Sequence, residues 1–246
     1  MSSKLRNIFL NKKFYFSIGL LIVVAIITVL SINLFRINKL ERAALTDFSD
    51  KILPYLDDID YENEDYEADD ISKYITFAME YNFGENNKTE GSYDELNGIT
   101  QKLFNYKIPE EEFKNGISSP QLAHKYVGFM YGEEKYTITR DYIDERLVAI
   151  TPITVYIEKS AHKFGKNYTV TYQKYEFETP YTIIDYTATH DISIPDFKDY
   201  LEGKATAANL KRAVTKECAE AQGELKKEIK VTYTIKEDQL QVSKIE

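Results

Sequence analysis

Between Phe14 and Phe35 no side chain carries a charge, and Ile, Leu, Val, Phe and Ala dominate a run that Lys12 and Lys13 introduce and Arg36 closes. A helix of that length rises about 33 Å at about 1.5 Å per residue, enough to cross a hydrocarbon core about 30 Å thick with some tilt. The run predicts a transmembrane helix over residues 14–35, with the lipid bilayer as its partner, a short tail over 1–13, and a tethered domain beyond. A secretory signal has an apolar region of about 7–15 residues followed by small residues at a cleavage site. Here the run is longer and ends in Ser31-Ile32-Asn33-Leu34-Phe35, which favours an uncleaved anchor. Lys4, Arg6, Lys12 and Lys13 precede the run while Arg36, Lys39 and Arg42 follow it, so charge asymmetry is weak. The short acid-free tail decides for a cytoplasmic N-terminus and a single-pass topology with the C-terminal domain outside the cell membrane.

Five of the chain's 31 basic residues and none of its 40 acids precede residue 37, leaving 26 against 40 and a charge near −14 for the remainder. That balance argues against nucleic acid as partner, because phosphate binding needs clustered Lys and Arg, and favours a protein or cell-envelope partner that is cationic or neutral. Tyr 20, Phe 13 and Trp 0, alongside many Lys, Ile and Asn, fit an AT-rich bacterial genome. The single cysteine, Cys218, excludes an internal disulfide, and no motif places a His or acid to activate it, so it reads as a structural thiol.

Ile37, Leu40, Ala44, Phe48, Ile52 and Leu56 recur at spacings of three and four, predicting a helical stalk over 36–56 that continues the membrane helix until Pro54 limits it. Its stripe suits packing on its own domain better than a coiled-coil seam. Residues 57–70 are mostly acidic. A calcium loop starting at Asp58 would put Asn63 where Gly is required and Asp69 where a bidentate Glu is required, so the segment is expected to be a solvated linker whose Asp69 or Asp70 caps the next helix.

Residues 71–246 then form the extracytoplasmic domain. Ile71, Tyr74, Ile75, Ala78 and Met79 mark one helical face, and Ser92 with Glu95 forms a capping box ahead of Leu96, Ile99 and Leu103. Pro109 and Gly116 bracket a short third turn. The period then falls to two. Hairpins are expected from Tyr126–Met130 and Lys135–Thr139, and from Val148–Ser160 and Tyr168–Phe177 around the turn 163–167. An insertion over 180–223 returns to helical chemistry, with one helix from Pro195 to Gly203 and another lined by Leu210, Val214 and Cys218. Ile229, Val231, Tyr233 and Ile235 open a closing hairpin that turns at Glu237-Asp238.

The expected fold class is α+β, with an N-terminal transmembrane helix and stalk, then helices on one face of a curved antiparallel sheet of hairpins. The order of stalk, helices and hairpins, closed by Lys230-Val231-Thr232-Tyr233-Thr234-Ile235-Lys236-Glu237-Asp238, resembles membrane-anchored extracytoplasmic domains of the NTF2-like or cystatin-like kind in Gram-positive bacteria. The insertion departs from that pattern. The resemblance implies architecture, and a subunit of a cell-envelope or secretion assembly is one role that proteins of that layout fill.

No catalytic set stands out. His124, His162 and His190 are far apart and form no ligand pair, so no metal or cofactor is assigned. Tyr126, Tyr156, Tyr172 and Tyr175 could stack on sugars or peptide side chains, but half-buried sheet packing is the plainer reading. Asn87-Lys88-Thr89 and Asn167-Tyr168-Thr169 match a glycan acceptor pattern that arises easily by chance. The sequence favours a binding or scaffold module. The alternative is a cell-envelope enzyme whose acid and base come from Glu176, Glu178 or Asp185 beside a pocket in the sheet.

Overall fold

The computed structural model describes residues 34–60, 70–116, 129–138, 153–178 and 207–246, with helical positions 18, 20–29, 31, 182–183 and 186. It is α+β, with two antiparallel sheets among the described residues. Among the described residues no helix is long and apolar enough to cross a membrane. The N-terminal helical positions nonetheless leave Leu21, Ile22, Val23, Val24, Ile26, Ile27 and Val29 half or more exposed.

Residues 36–38 are not helical, so the expected continuous stalk is broken there. Asn38 starts a new helix, α1 (Lys39–Ile52), by accepting the Glu41 amide at 2.9 Å while Glu41 accepts the Asn38 amide at 3.0 Å. That reciprocal box satisfies amides that a continuous helix would have satisfied internally. A 3-10 segment, Leu53–Asp58, follows with Pro54 in its first turn. Helix α2 (Asp70–Asn86) leads through the three-residue strand β1 (Glu90–Ser92) into α3 (Tyr93–Phe104). The Ser92–Glu95 capping box is present as the sequence indicates. Asp69, and the side chain of Asp70, lie outside the described residues, so that expected cap does too.

Strands β2 (Phe129–Gly132) and β3 (Lys135–Ile138) pair around Glu133 and Glu134, both at positive φ. β3 pairs with β1 on its other side, forming a small sheet of order β1-β3-β2. The expectation of one sheet is therefore corrected: this hairpin belongs to a separate sheet, packed on α2 and α3 through Ile75, Met79, Leu96, Phe113 and Tyr136. A three-residue strand carries too little alternation to announce itself in sequence.

The main sheet holds β4 (Ile153–Phe164), β5 (Asn167–Phe177), β6 (Glu224–Lys236) and β7 (Gln239–Ile245), antiparallel in chain order. Between β5 and β6 come α4 (Ala207–Ala213) and α5 (Lys216–Gln222). The expected helix at Pro195–Gly203 lies outside the described residues. The β4–β5 turn is only Gly165-Lys166, with Gly165 at φ +62°, which glycine adopts without the steric cost of a Cβ.

The sheet buries parts of both faces. Val170, Tyr172, Val231, Tyr233 and Val242 pack under α1, the 3-10 segment, α2 and α3, against Leu45, Ile52, Leu56, Phe77 and Phe104. Tyr172 and Tyr175 are three residues apart, so they point to opposite faces. Tyr175, Phe177, Ile153 and Val155 therefore meet Leu210, Val214, Cys218 and Ala219 of the insertion on the reverse side. Helices on one face alone is thus corrected to helices on both, the reverse cover confined to the Phe177 end. As its stripe indicates, α1 packs on its own domain: Leu45 and Ile52 are fully buried in the main core, each contributing about 1.5–3 kcal/mol.

Candidate functional site

The acidic run is where the structure departs furthest from the sequence reading. Asp57, Asp58 and Asp60 are buried, not solvated. The 3-10 turn aims Asp57 and Asp60 at the sheet, where the Tyr156 hydroxyl lies 2.8 Å from Asp57 Oδ1 and 2.9 Å from Asp60 Oδ2. Lys174 Nζ stands 2.9 Å from Asp57 and 3.3 Å from Asp60, and Lys227 Nζ 3.0 Å from the second Asp60 oxygen. Lys174 shares the face of Tyr172, and its side chain is 16% exposed.

Burial disfavours the Lys174 charge, but Asp57 and Asp60 outweigh it and hold the ammonium above the ordinary lysine range. Burial, then the same two carboxylates, push the Tyr156 phenol well above the ordinary tyrosine range. Two carboxylates face two ammoniums and a phenol that keeps its proton. This group clamps the 3-10 segment to β4, β5 and β6.

A cleft of about 330 Å³ opens beside the clamp, at the β4 edge of the sheet. Its walls are α1, the 3-10 segment, the stretch Val155–Glu158 and the α4 end, with Leu45, Leu53, Pro54, Ile157 and Val214 supplying an apolar floor. Its rim is polar and fixed. Arg42 pairs with Glu158 across the opening. Arg212 donates from Nε to the Asp50 carbonyl at 3.1 Å and pairs with Glu85, while Lys211 donates to the Pro54 carbonyl at 3.0 Å. Tyr172 closes the back, donating to Ser49 at 3.1 Å, and burial pushes its phenol up to about 12. Among the described residues β4 pairs with β5 alone, so one main-chain edge of β4 borders this cleft. A second cavity of about 340 Å³ between α2 and β7 is lined by Asp60, Lys73, Lys244 and Glu246, and its Asp60 and Lys244 already hold partners.

The residues singled out from sequence distribute unevenly. Tyr156 and Tyr172 do line the cleft, though both are buried and hydrogen-bonded, and Tyr175 packs against the insertion; Tyr126 lies outside the described residues. Glu176 pairs with Lys226 at 3.6 Å and Glu178 is exposed; neither lines the cleft, and Asp185 lies outside the described residues. His162 is exposed on β4, while His124 and His190 lie outside the description. Among the described residues no group of three or more His, Cys, Asp or Glu is placed to hold a metal ion. Cys218 is fully buried, its amide donates to the Thr215 hydroxyl at 3.2 Å, and burial raises its thiol. Asn87 and Asn167 are exposed, the latter accepting from the Thr234 hydroxyl at 2.8 Å.

Sequence reasoning missed Arg42, Glu158 and Arg212. Each pairs with a residue at least 116 positions away in Arg42–Glu158 and 127 away in Arg212–Glu85, so local pattern held no signal. Asn38 was legible as Asn-x-x-Glu.

Compared with known proteins, the chain matches no family model, no curated protein and no solved structure.

Proposed function

We propose that this chain is a membrane-anchored extracytoplasmic binding or scaffold module whose ligand site is the β4-edge cleft. The observation that carries the reading is the exposure of an apolar helical segment over residues 20–29, continuous with a folded acidic domain. Side chains of that kind cost about 25 cal/mol per Å² in water and are stabilised by lipid. The charge-free run 14–35 extends beyond those positions on both sides and supplies the length to span. An α+β domain with helices laid across an antiparallel meander also supports kinship with NTF2-like or cystatin-like extracytoplasmic domains, and with it a role in a cell-envelope or secretion assembly.

The cleft's chemistry favours an extended segment of a protein partner. Main-chain groups along β4 can add a strand, the floor of Leu45, Ile157 and Val214 accepts one or two apolar side chains, and the surrounding acidic domain attracts a cationic sequence. The test is photo-crosslinking in intact membranes from a probe at Thr46, on the cleft wall, against a probe at the exposed Glu217 of α5. Reproducible protein adducts from Thr46 alone are the expected result. Equal capture from both positions, or none from Thr46, would remove the cleft as the binding site. Release of the full chain by alkaline washing would remove the anchor.

A further inference from the structure

The β4–β5 turn does not point into open solvent. The Gly165 amide donates to the Leu34 carbonyl at 3.1 Å, and the Phe164 ring sits 5.6 Å from that of Phe35, tilted by 47°. Lys163 Nζ, 9% exposed, lies 2.6 Å from Glu41 Oε1 on the first turn of α1. The foot of the apolar helix, the beginning of α1 and the hairpin tip are thus joined by a main-chain hydrogen bond, a ring contact and a shielded ion pair. Yet the same junction leaves Leu34 44%, Phe35 57%, Leu40 83% and Phe164 66% exposed. Arg36, Lys39 and Lys166 are exposed around them.

From this we infer that the β4–β5 hairpin tip is a membrane-contact surface: Phe164, with Phe35 and Leu40, enters the boundary between headgroups and acyl chains, and Lys166, Lys39 and Arg36 meet the lipid phosphates. The inference rests on the anchor reading, since lipid must lie beside residue 35, and it adds how the domain stands on that lipid. Apolar groups ringed by cations are the composition that interfacial segments use, burying about 5–10 Å into the boundary. Opposing charges stand at the same end. The Glu237-Asp238 turn is exposed at the same end of the sheet, next to Lys166, whose carbonyl accepts the Ile235 amide at 3.2 Å. Its carboxylates resist approach to phosphate, so the sheet tips to bring its β4 edge down and its β7 edge up.

The experiment uses the full chain, with Cys218→Ala removing the native thiol, reconstituted in phosphatidylcholine vesicles carrying a nitroxide in the headgroup region. An environment-sensitive fluorophore is placed at Phe164→Cys, at Lys166→Cys in case the first variant fails to fold, and at Glu224→Cys at the far end of the sheet. Expected are a blue-shifted emission at 164 and quenching at 164 and 166 about threefold or more that at 224. Equal quenching at all three positions in vesicles that float with the protein overturns the hairpin contact and leaves the anchor standing. Protein that fails to float with the vesicles overturns both.

Discussion

Replacing Lys174 by Met keeps the aliphatic stem and removes the charge that two buried carboxylates share. Asp57 and Asp60 are 8% and 7% exposed in their side chains, and Lys174 is 16% exposed, so this pair lies closer to the buried than to the surface limit. Stripping one partner from a fully buried pair costs about 3–5 kcal/mol, because the remaining charge has neither water nor counter-ion. Two features lower that figure here. Lys227 still neutralises Asp60 at 3.0 Å, and the Tyr156 hydroxyl still lies within hydrogen-bond distance of both carboxylates, to one of which it donates. The expected loss is therefore about 2–3 kcal/mol, or about 4–12 °C in Tm for a domain of this size. Urea and thermal unfolding of the full chain in mild detergent, followed by near-ultraviolet circular dichroism, measure it. A triple variant that adds Asp57→Asn and Asp60→Asn to Lys174→Met should recover at least half, since it removes both carboxylates that Lys174 neutralises. A loss under about 0.5 kcal/mol for the single variant would place this pair among exposed ion pairs and refute the clamp. A full loss with no recovery in the triple variant would assign the effect to packing.

Other expectations follow from single contacts. Burial raises the phenols of Tyr156, Tyr172 and Tyr233, so the folded state holds protons that the unfolded state releases above about pH 10; their stabilisation is complete below that pH and lost as pH rises through the folded values. Tyr172 alone, at about 12, should remove about 2 kcal/mol between pH 10 and 12, seen as a falling urea midpoint that precedes tyrosinate absorbance, and a flat midpoint over that range would contradict the buried tyrosine cluster. Ser92→Ala removes the cap that accepts the Glu95 amide and should cost about 1 kcal/mol at equilibrium, whereas an unchanged midpoint would show that the cap is dispensable. Gly84→Ala would set a Cβ 1.9 Å from the Tyr55 hydroxyl, and because that ring is fully buried the expected loss is about 1–3 kcal/mol, relieved in part by Tyr55→Phe; no loss would mean that Tyr55 can move aside.

What was legible in the chain is what local chemistry controls. Ser92 and Glu95 stand three residues apart and find each other within one turn of helix, and Val231, Tyr233 and their polar alternates declare a half-buried strand without help from elsewhere. The Glu237-Asp238 turn stands where it was read, whereas the turns at 131–134 and 163–167 close within Glu133-Glu134 and Gly165-Lys166; Glu133 and Glu134 adopt positive φ without glycine, a conformation that acidic side chains do not advertise. The acidic run misled for a different reason. The cations that meet Asp57 and Asp60, Lys174 and Lys227, lie more than a hundred residues away, so two carboxylates that look solvated in sequence become buried and paired only once the sheet forms. The same distance hid the cleft, whose polar rim is assembled from α1, β4 and α4.

The clamp and the cleft are built on one short element, and this ties stability to binding. Leu53 and Pro54 line the cleft at the start of the 3-10 segment, and Asp57 and Asp60 anchor its end to the sheet. The Lys211 ammonium holds the Pro54 carbonyl from the far wall. A segment this short has few hydrogen bonds of its own, so its position is set by those side-chain contacts at either end. Loosening it at Lys174 should therefore let the floor of the cleft shift before the core unfolds. At a temperature where the Lys174→Met variant is still folded, crosslinking from Thr46 should fall several-fold while the main-sheet signal stays intact. Along β4, Glu158 is six residues from Phe164, about 20 Å at the rise of a strand, so a ligand segment would be met at that height above the proposed lipid contact and not at the bilayer surface.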